Sequence, residues 1–276
     1  CDAKVIALDH SELALYNLEK NIKFYLKRKK IKIILGSILD KRILNNIQKS
    51  EKINIIFHAA AYKHVNLLEK NISLAIENNI FGTQNILNVF NKHNQQIIII
   101  STDKAARPKS ILGATKRISE IMSQDFKNYS PNKLKIKIVR FGNVFGSQGS
   151  AIELFIDQLN KNIPITLTHN KAKRYFMSMQ EACNLVLDIT RLRENDQIFI
   201  LDMGKQILIK DIIYKLASLK NISESQIKIH TIGLKKGEKL SEELSINKTL
   251  SKTKNKEIFS VKERGYDSKL ISNFII

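Results

Sequence analysis

Gln96-Ile97-Ile98-Ile99-Ile100-Ser101, followed at once by Thr102-Asp103-Lys104, is the stretch that decides the fold. An unbroken apolar run between polar ends reads as a strand buried on both faces, because no side of it is left for water. Such strands belong to parallel sheets covered by helices, and ligands of those sheets gather at the carboxyl edge. Thr102, Asp103 and Lys104 emerge at that edge with a hydroxyl, a carboxyl and an amine side by side. Together they offer a hydrogen-bond donor, an acid and a base; singly, each is an ordinary turn or helix cap.

The same pattern repeats on either side. Short apolar runs occur at Lys4–Leu8, Lys32–Leu35, Asn54–His58 and Ile136–Phe141. Between them lie helical patterns. From Ser11 to Lys27, Leu15, Leu18, Ile22 and Tyr25 or Leu26 recur at helical spacing, and Asp9 with Glu12 resembles a capping pair. Leu74–His93 and Ala114–Tyr129 read as further helices. Alternation of this kind predicts an α/β fold with a doubly wound parallel sheet. Beyond Asn143 the pattern turns irregular, with short strands expected at Ile165–Thr168, Gln197–Leu201 and Ile227–Thr231. Asn247 to Ile276 reads as a polar, partly disordered tail.

Eight blocks in order carry a resemblance: Phe57 to Val65 (FHAAAYKHV), Asn79-Ile80-Phe81-Gly82-Thr83, Ser101 to Ala105 (STDKA), Gly113 to Arg117 (GATKR), Arg140 to Val144 (RFGNV), Arg174 to Met177 (RYFM), Leu201 to Gly204 (LDMG) and Gly237 to Leu240 (GEKL). This set resembles the nucleotide-sugar 4,6-dehydratases of bacterial polysaccharide and glycan synthesis, within the extended short-chain dehydrogenase/reductase superfamily. The resemblance implies a Rossmann NAD-binding domain over residues 1–145. It further implies a substrate-binding portion over 146–246, interleaved with the last elements of the sheet, with 247–276 as the tail. It also implies a homo-oligomer, a UDP-N-acetylhexosamine substrate (UDP-N-acetylglucosamine first) and a cytoplasmic setting. In longer family members an N-terminal part carries membrane helices, which would put the enzyme on the cytoplasmic membrane face.

By resemblance, Thr102 holds the sugar 4-hydroxyl, Asp103 is the elimination acid, Lys104 the base, and Lys116 binds the nicotinamide ribose. Ser37 and Ile38 lie along the adenine in the family, and His58, Ala59 and Ala60 flank the cofactor. Asn79 supports the active-site lysine through the backbone. Lys63, His64, Asn143, Arg174, Lys235 and Glu238 fall in substrate-side blocks. Asp9 ends the first strand, where a carboxylate accepts hydrogen bonds from the adenosine ribose and repels a 2′-phosphate, favouring NAD over NADP. A plain N-cap is the other use of Asp9, and a surface cation the other reading of Arg174. Two departures stand out. Leu112 occupies the slot where the superfamily has a tyrosine base, which leaves the base of the first oxidation open and a weakened or inactive protein as one reading. The family's first strand and Gly-rich loop do not precede Asp9, so the chain reads as the C-terminal portion of a longer protein. A UDP-sugar 4-epimerase is the nearest rival, since it shares the fold and the first oxidation.

Composition narrows the classes. The chain has 276 residues, 43% of them hydrophobic, enough for a sizeable core. Two cysteines, Cys1 and Cys183, make no disulfide framework or paired-Cys metal motif, so no metal is expected. No apolar run approaches the roughly 20 residues that span a bilayer. The formal charge of +20 does not read as a nucleic-acid interface, because the lysines are scattered and tryptophan is absent. The densest run, Lys27-Arg28-Lys29-Lys30, ends a helix, where cations favour the dipole. The positive field still draws anionic nucleotide sugars or an anionic membrane face. Without a Gly-rich loop the cofactor pyrophosphate lacks its main-chain amides. The 276-residue chain is therefore expected to bind NAD weakly or not at all in a calorimetric titration; micromolar affinity would contradict that.

Overall fold

The computed structural model describes residues 3–26, 30–92, 94–129, 134–194, 197–246 and 249–263. Cys1, Lys27, Arg28, Lys29, His93, Asn247, Lys248 and residues 264–276, on which some sequence expectations fall, lie outside the described residues.

The first half alternates strand and helix as its sequence pattern requires. β1 (Val5–Asp9) and β2 (Ile31–Leu35) flank α1 (Glu12–Leu26), and α2 (Lys41–Ser50) leads to β3 (Ile55–His58). A short α3 (Val65–Leu68) precedes α4 (Ile72–Ile76), which runs through a π-helical turn (Glu77–Phe81) into α5 (Gly82–Val89). β4 (Gln96–Ile100), α6 (Ile111–Tyr129) and β5 (Lys135–Arg140) follow. The second half holds β6 (Asn143–Val144), α7 (Ala151–Asn160), β7 (Ile165–Leu167), β8 (Lys173–Arg174) and β9 (Phe176–Met177). It continues with α8 (Met179–Ile189), β10 (Ile198–Leu201), β11 (Ile207–Leu208), α9 (Ile209–Ser218), β12 (Ile229–Thr231), β13 (Ser251–Lys252) and β14 (Ile258–Val261).

The central sheet has six strands in the order β13-β14-β10-β5-β4-β3. Its body, β3 to β4 to β5 to β10, is parallel, and β14 closes one side antiparallel to β10. β1 and β2 form their own parallel ladder. Burial alternates with a period of two, as a strand covered on both faces demands. Ile97, Ile99, Ile136, Ile138, Ile198 and Ile200 pack on one face with Leu44 and Leu87. Ile98, Val139, Phe199 and Leu201 pack on the other with Leu185 and Ile189. Each such side chain contributes about 1.5–3 kcal/mol. Among the described residues, no helix is long and apolar enough to cross a membrane.

The stretch read as a polar tail behaves differently from that reading. Ile258 is fully buried, and β14 pairs with β10 along its whole length. Four residues of Ile-Phe-Ser-Val suffice for a sheet strand, but Lys and Asn on both sides dilute the signal over any longer window. Just beyond the strand, Glu263 enters a buried quartet. Arg140, with no exposed surface, bridges Glu120 of α6 (Nη2 to Oε2, 2.6 Å) and Glu263 (Nη2 to Oε2, 2.8 Å). Arg117 reaches the same two carboxylates at 3.0 Å each. Burial alone would raise the Glu263 carboxyl, but the hydrogen bonds and charge of Arg140 and Arg117 outweigh it and hold it below the usual carboxylate range.

Two arginines and two glutamates cancel in charge, which is what lets the set stay buried. Removing one partner leaves an uncompensated charge. Glu263→Ala should cost about 3 kcal/mol in urea unfolding at pH 7. A carboxyl lowered on folding stabilises above its unfolded pKa, and that contribution fades as pH falls through the folded value. The gap between wild type and variant should therefore narrow in acid.

Candidate active site

The carboxyl edge of β4 turns abruptly. Ser101 closes the last ladder bond to the Val139 carbonyl at 2.7 Å, and the Asp103 amide donates to the Phe141 carbonyl at 3.1 Å. Thr102 is the N-cap of a single 3₁₀ turn, Asp103–Ala105, its hydroxyl accepting from the Lys104 amide. α6 lies directly against this turn. A Cβ on Gly113 would sit 2.5 Å from the Lys104 carbonyl oxygen, so only glycine permits the approach. From below, the Ser101 hydroxyl donates to Glu120 at 2.6 Å, which ties the turn to the buried quartet.

Thr102, Asp103 and Lys104 meet at one oxygen. The Thr102 hydroxyl donates to Asp103 Oδ1 at 2.8 Å, and the Lys104 ammonium donates to the same atom at 2.9 Å. Asp103 has no exposed surface, and its Oδ2 makes no hydrogen bond among the described residues. The acid expected to face substrate thus stands behind its two neighbours, while Thr102 and Lys104 form the wall in front.

That wall belongs to a cavity of about 330 Å³. Of the residues singled out in the sequence, Ala59, Lys63, His64, Thr102, Lys104, Lys116 and Asn143 line it. Tyr62, Phe141, Phe176, Ile209 and Ile212 line it as well and were missed. Tyr62, Phe141 and Phe176 lie inside quoted blocks, so there the signal was available; the two isoleucines come from α9, whose apolar face gives no hint that one edge reaches a cavity. Leu112 also contributes to the lining, from a small apolar cluster with Leu68 and Ala75.

The lysine four residues after Leu112 is unusual. Lys116 is 5% exposed and makes no hydrogen bond or ion pair among the described residues. Burial pushes its pKa down to about 8, with the charge of Glu120 opposing. His58 behind it is pushed down to about 3, by burial and then by the charge of Lys116. The His58 ring contacts the Thr83 hydroxyl at 2.8 Å, and that hydroxyl gives its own proton to the Asn79 carbonyl at 2.6 Å. His58 Nε2 must then be the donor, and because burial holds the ring neutral, Nδ1 is unprotonated.

Asn79 sits in the π-helical turn, a feature frequent at functional sites. Its side chain accepts from the Tyr62 amide (2.8 Å) and donates to the Tyr62 carbonyl (3.2 Å) and the Thr115 hydroxyl (3.1 Å). It therefore braces the cavity turn at Tyr62 and the residue before Lys116. Asp9 lies at the end of β1 with its side chain about half exposed, one oxygen capping the Ser11 amide at 2.8 Å. This bond closes a turn ahead of α1, and the helix cap itself is Ser11, whose hydroxyl accepts from the Ala14 amide at 3.2 Å. Ser37 caps the Leu39 amide, and Ile38 packs against Gly82; neither these nor Ala60 line the cavity. Arg174 points at the Lys173 and Leu240 carbonyls, and Lys235 and Glu238 hydrogen-bond each other in a turn, all three away from the cavity.

Comparison with known proteins follows the same lines. The sequence matches the polysaccharide biosynthesis protein family over residues 2–263. The chain belongs to that family. The capsular polysaccharide biosynthesis protein CapD of Staphylococcus aureus is 39% identical over 243 residues, 87% of this chain. The match spans 40% of CapD's own length. The crystal structure of Pen from Bacillus thuringiensis superimposes with a TM-score of 0.79 at 31% identity, covering 88% of this chain and 74% of Pen. DesIV, a dTDP-glucose 4,6-dehydratase from Streptomyces venezuelae solved with NAD and DAU bound, gives 0.77 at 18% identity, covering 89% and 80%. UDP-sugar 4-epimerases share this fold too. The chain therefore has the Rossmann-like sheet of the nucleotide-sugar dehydratases and epimerases.

A buried, unpaired ammonium weakens a fold and persists where it serves something else. Lys116→Met should raise stability at pH 7 by roughly 1–3 kcal/mol, from a shift worth about 1.4 kcal/mol per pKa unit. A lysine lowered on folding carries its penalty below the folded pKa, and the penalty is lost as pH rises toward the unfolded value. The gain in a thermal melt should therefore shrink between pH 8 and 10.

Proposed function

We propose that this chain carries the catalytic site of an NAD-dependent 4,6-dehydratase of a UDP-N-acetylhexosamine, with UDP-N-acetylglucosamine as the first candidate. The observation that carries the reading is Asp103 Oδ1, held at 2.8 Å by the Thr102 hydroxyl and at 2.9 Å by Lys104. A donor, an acid and a base converge there on one side of a cavity large enough for a sugar ring.

The residues present fit NAD. Asp9 offers a second carboxylate oxygen at the β1 edge for the ribose, the resemblance puts Ser37, Ile38, Ala59 and Ala60 along the cofactor, and the unpaired Lys116 ammonium awaits an acceptor in the cavity. When bound, NAD supplies a hydride acceptor for sugar carbon 4 and a hydride donor for carbon 6. The protein's share is the movement of protons. Leu112 offers no base, so the 4-hydroxyl passes its proton to the Thr102 hydroxyl, whose own proton moves to Asp103 Oδ1. The 4-keto group acidifies carbon 5, and Lys104, as its amine, takes the carbon 5 proton on Nζ. Asp103, now an acid, returns its proton through Thr102 to the departing 6-hydroxyl, which leaves as water. Lys104 then gives its proton back to carbon 5. Both side chains finish as they began, and the Asp103–Lys104 ion pair is the state that elimination leaves behind. Lys63, His64 and Asn143 on the cavity wall suit the sugar and its diphosphate.

General acid–base groups of this kind contribute about 10²- to 10⁴-fold each. The product of the complete open reading frame, incubated with NAD and UDP-N-acetylglucosamine, should release a nucleotide sugar lighter by one water in a mass spectrum. Asp103→Asn should abolish that loss while nucleotide binding is kept. A product of unchanged mass and altered mobility would make the protein an epimerase, and turnover retained in Asp103→Asn would remove Asp103 from the mechanism.

A further inference from the structure

A file of alternating charges runs inward from the cavity wall. The Lys104 ammonium, 2.9 Å from Asp103 Oδ1, is also 3.8 Å from Glu242 Oε1, and Glu242 Oε2 is 3.5 Å from the Lys239 ammonium. Glu242 is 2% exposed, although it lies in the loop between β12 and β13 where charged residues usually face water. Asp103 Oδ2, Glu242 Oε2 and Lys239 Nζ are all buried and make no hydrogen bond among the described residues. Their ion pairs remain, but oriented donors are missing, and buried polar atoms in that condition are costly.

The two carboxylates differ in how they are held. Asp103 belongs to the catalytic turn itself. Glu242 is fixed from the opposite side: the Gln206 side-chain amide donates to the Glu242 carbonyl at 2.5 Å, and the Ser241 hydroxyl donates to Gln206 at 2.7 Å. Lys104 stands between them on a flexible four-carbon stem, part of it in the cavity. The shorter contact is to Asp103 and the longer one is in reserve.

Building on the dehydratase reading, we infer that Glu242 is a positioning residue, a second carboxylate station for Lys104. The carbon 5 proton reaches Lys104 while Asp103 still carries the proton it took from the 4-hydroxyl. At that moment Asp103 is neutral, and Glu242 is the carboxylate that faces the new ammonium. Lys104 moves toward Glu242, which steadies it until the 6-hydroxyl departs and Asp103 is charged again. Lys239, behind Glu242, keeps the buried file balanced while the proton moves.

Asp103→Asn holds residue 103 neutral, so its crystal structure reads the second station whatever the reaction is. Lys104 Nζ should lie within about 3.2 Å of a Glu242 oxygen. A Nζ that stays nearer residue 103 than Glu242 overturns the inference. In turnover, Glu242→Gln should lower kcat for water loss about 10-fold or more, with KM and the first reduction of NAD in a single turnover nearly unchanged. Glu242→Asp should recover much of that loss. Glu242→Gln leaves Lys239 unpaired, so the double variant Glu242→Gln/Lys239→Met is the control for folding. If the double variant regains both stability and wild-type turnover, Glu242 only pairs Lys239 and the inference fails. If it regains stability but not turnover, the station is supported. A wild-type protein that releases no water from any UDP-hexosamine would refute the dehydratase reading alone, and the crystal structure would still decide the station.

Discussion

Arg140 has no contact with solvent, yet its guanidinium must remain charged. A charge so deeply buried is tolerated only where carboxylates and hydrogen bonds replace water at each of its nitrogens. Glu120 supplies two of those bonds, Glu263 two more, and the Leu244 carbonyl another. These partners come from α6, from the segment after β14 and from the loop before β13, so satisfying one side chain draws three distant parts of the chain against the end of β5. Glu120 also accepts from Ser101. The turn that carries Thr102, Asp103 and Lys104 is therefore anchored to the same centre, and the geometry of the candidate site rests on the charge balance beneath it.

The site above is built on a second tension of the same kind. Lys116 and His58 are both buried, and each makes the other harder to charge. Only the lysine can face the cavity, so the histidine is spent as a neutral donor to Thr83 and the ammonium is left without an acceptor. Leu112, next along that helix, fills the adjoining space with carbon. In the proposed reaction, proton transfer then falls to the Thr102–Asp103–Lys104 turn, and a tyrosine at position 112 would have shared that work.

How much of this was legible beforehand depends on the range of each interaction. The Gln96–Ser101 run announced a strand covered on both faces because that requirement is local, and the structure places alternate isoleucines in opposite cores. Lys104 follows a strand end, where ligands of a parallel sheet gather, while Lys116, Lys63, His64 and Asn143 were named through the family resemblance; all five line the cavity. The burial of Asp103 could not be read. It arises in part from Gly142, where an added Cβ would sit 3.1 Å from Asp103 Oδ2, a close approach between segments about forty residues apart. Glu242 and Glu263 were illegible for a stronger reason. Each lies in a stretch whose neighbours are polar, and a buried carboxylate looks like a surface one until its distant cation is known. Arg174 lies outside the cavity lining, with one guanidinium nitrogen turned to the Lys173 and Leu240 carbonyls, a placement set by a partner 66 residues away.

These misses share a cause that bears on the chemistry. Local pattern identifies groups able to move a proton, but their order of action depends on which of them can reach the sugar. Asp103 touches the cavity only through Thr102 and Lys104, so any proton it gives or takes crosses one of those side chains. A direct acid at that position could act on the 6-hydroxyl alone. In the proposed dehydration, a shielded one would serve the 4-hydroxyl and the 6-hydroxyl in turn through the same threonine, with no separate base at position 112. Shielding also raises the cost of any state in which Lys104 is charged and Asp103 is not. That imbalance makes a second carboxylate on the far side of Lys104 chemically useful, and Glu242, held there from another loop, meets the need.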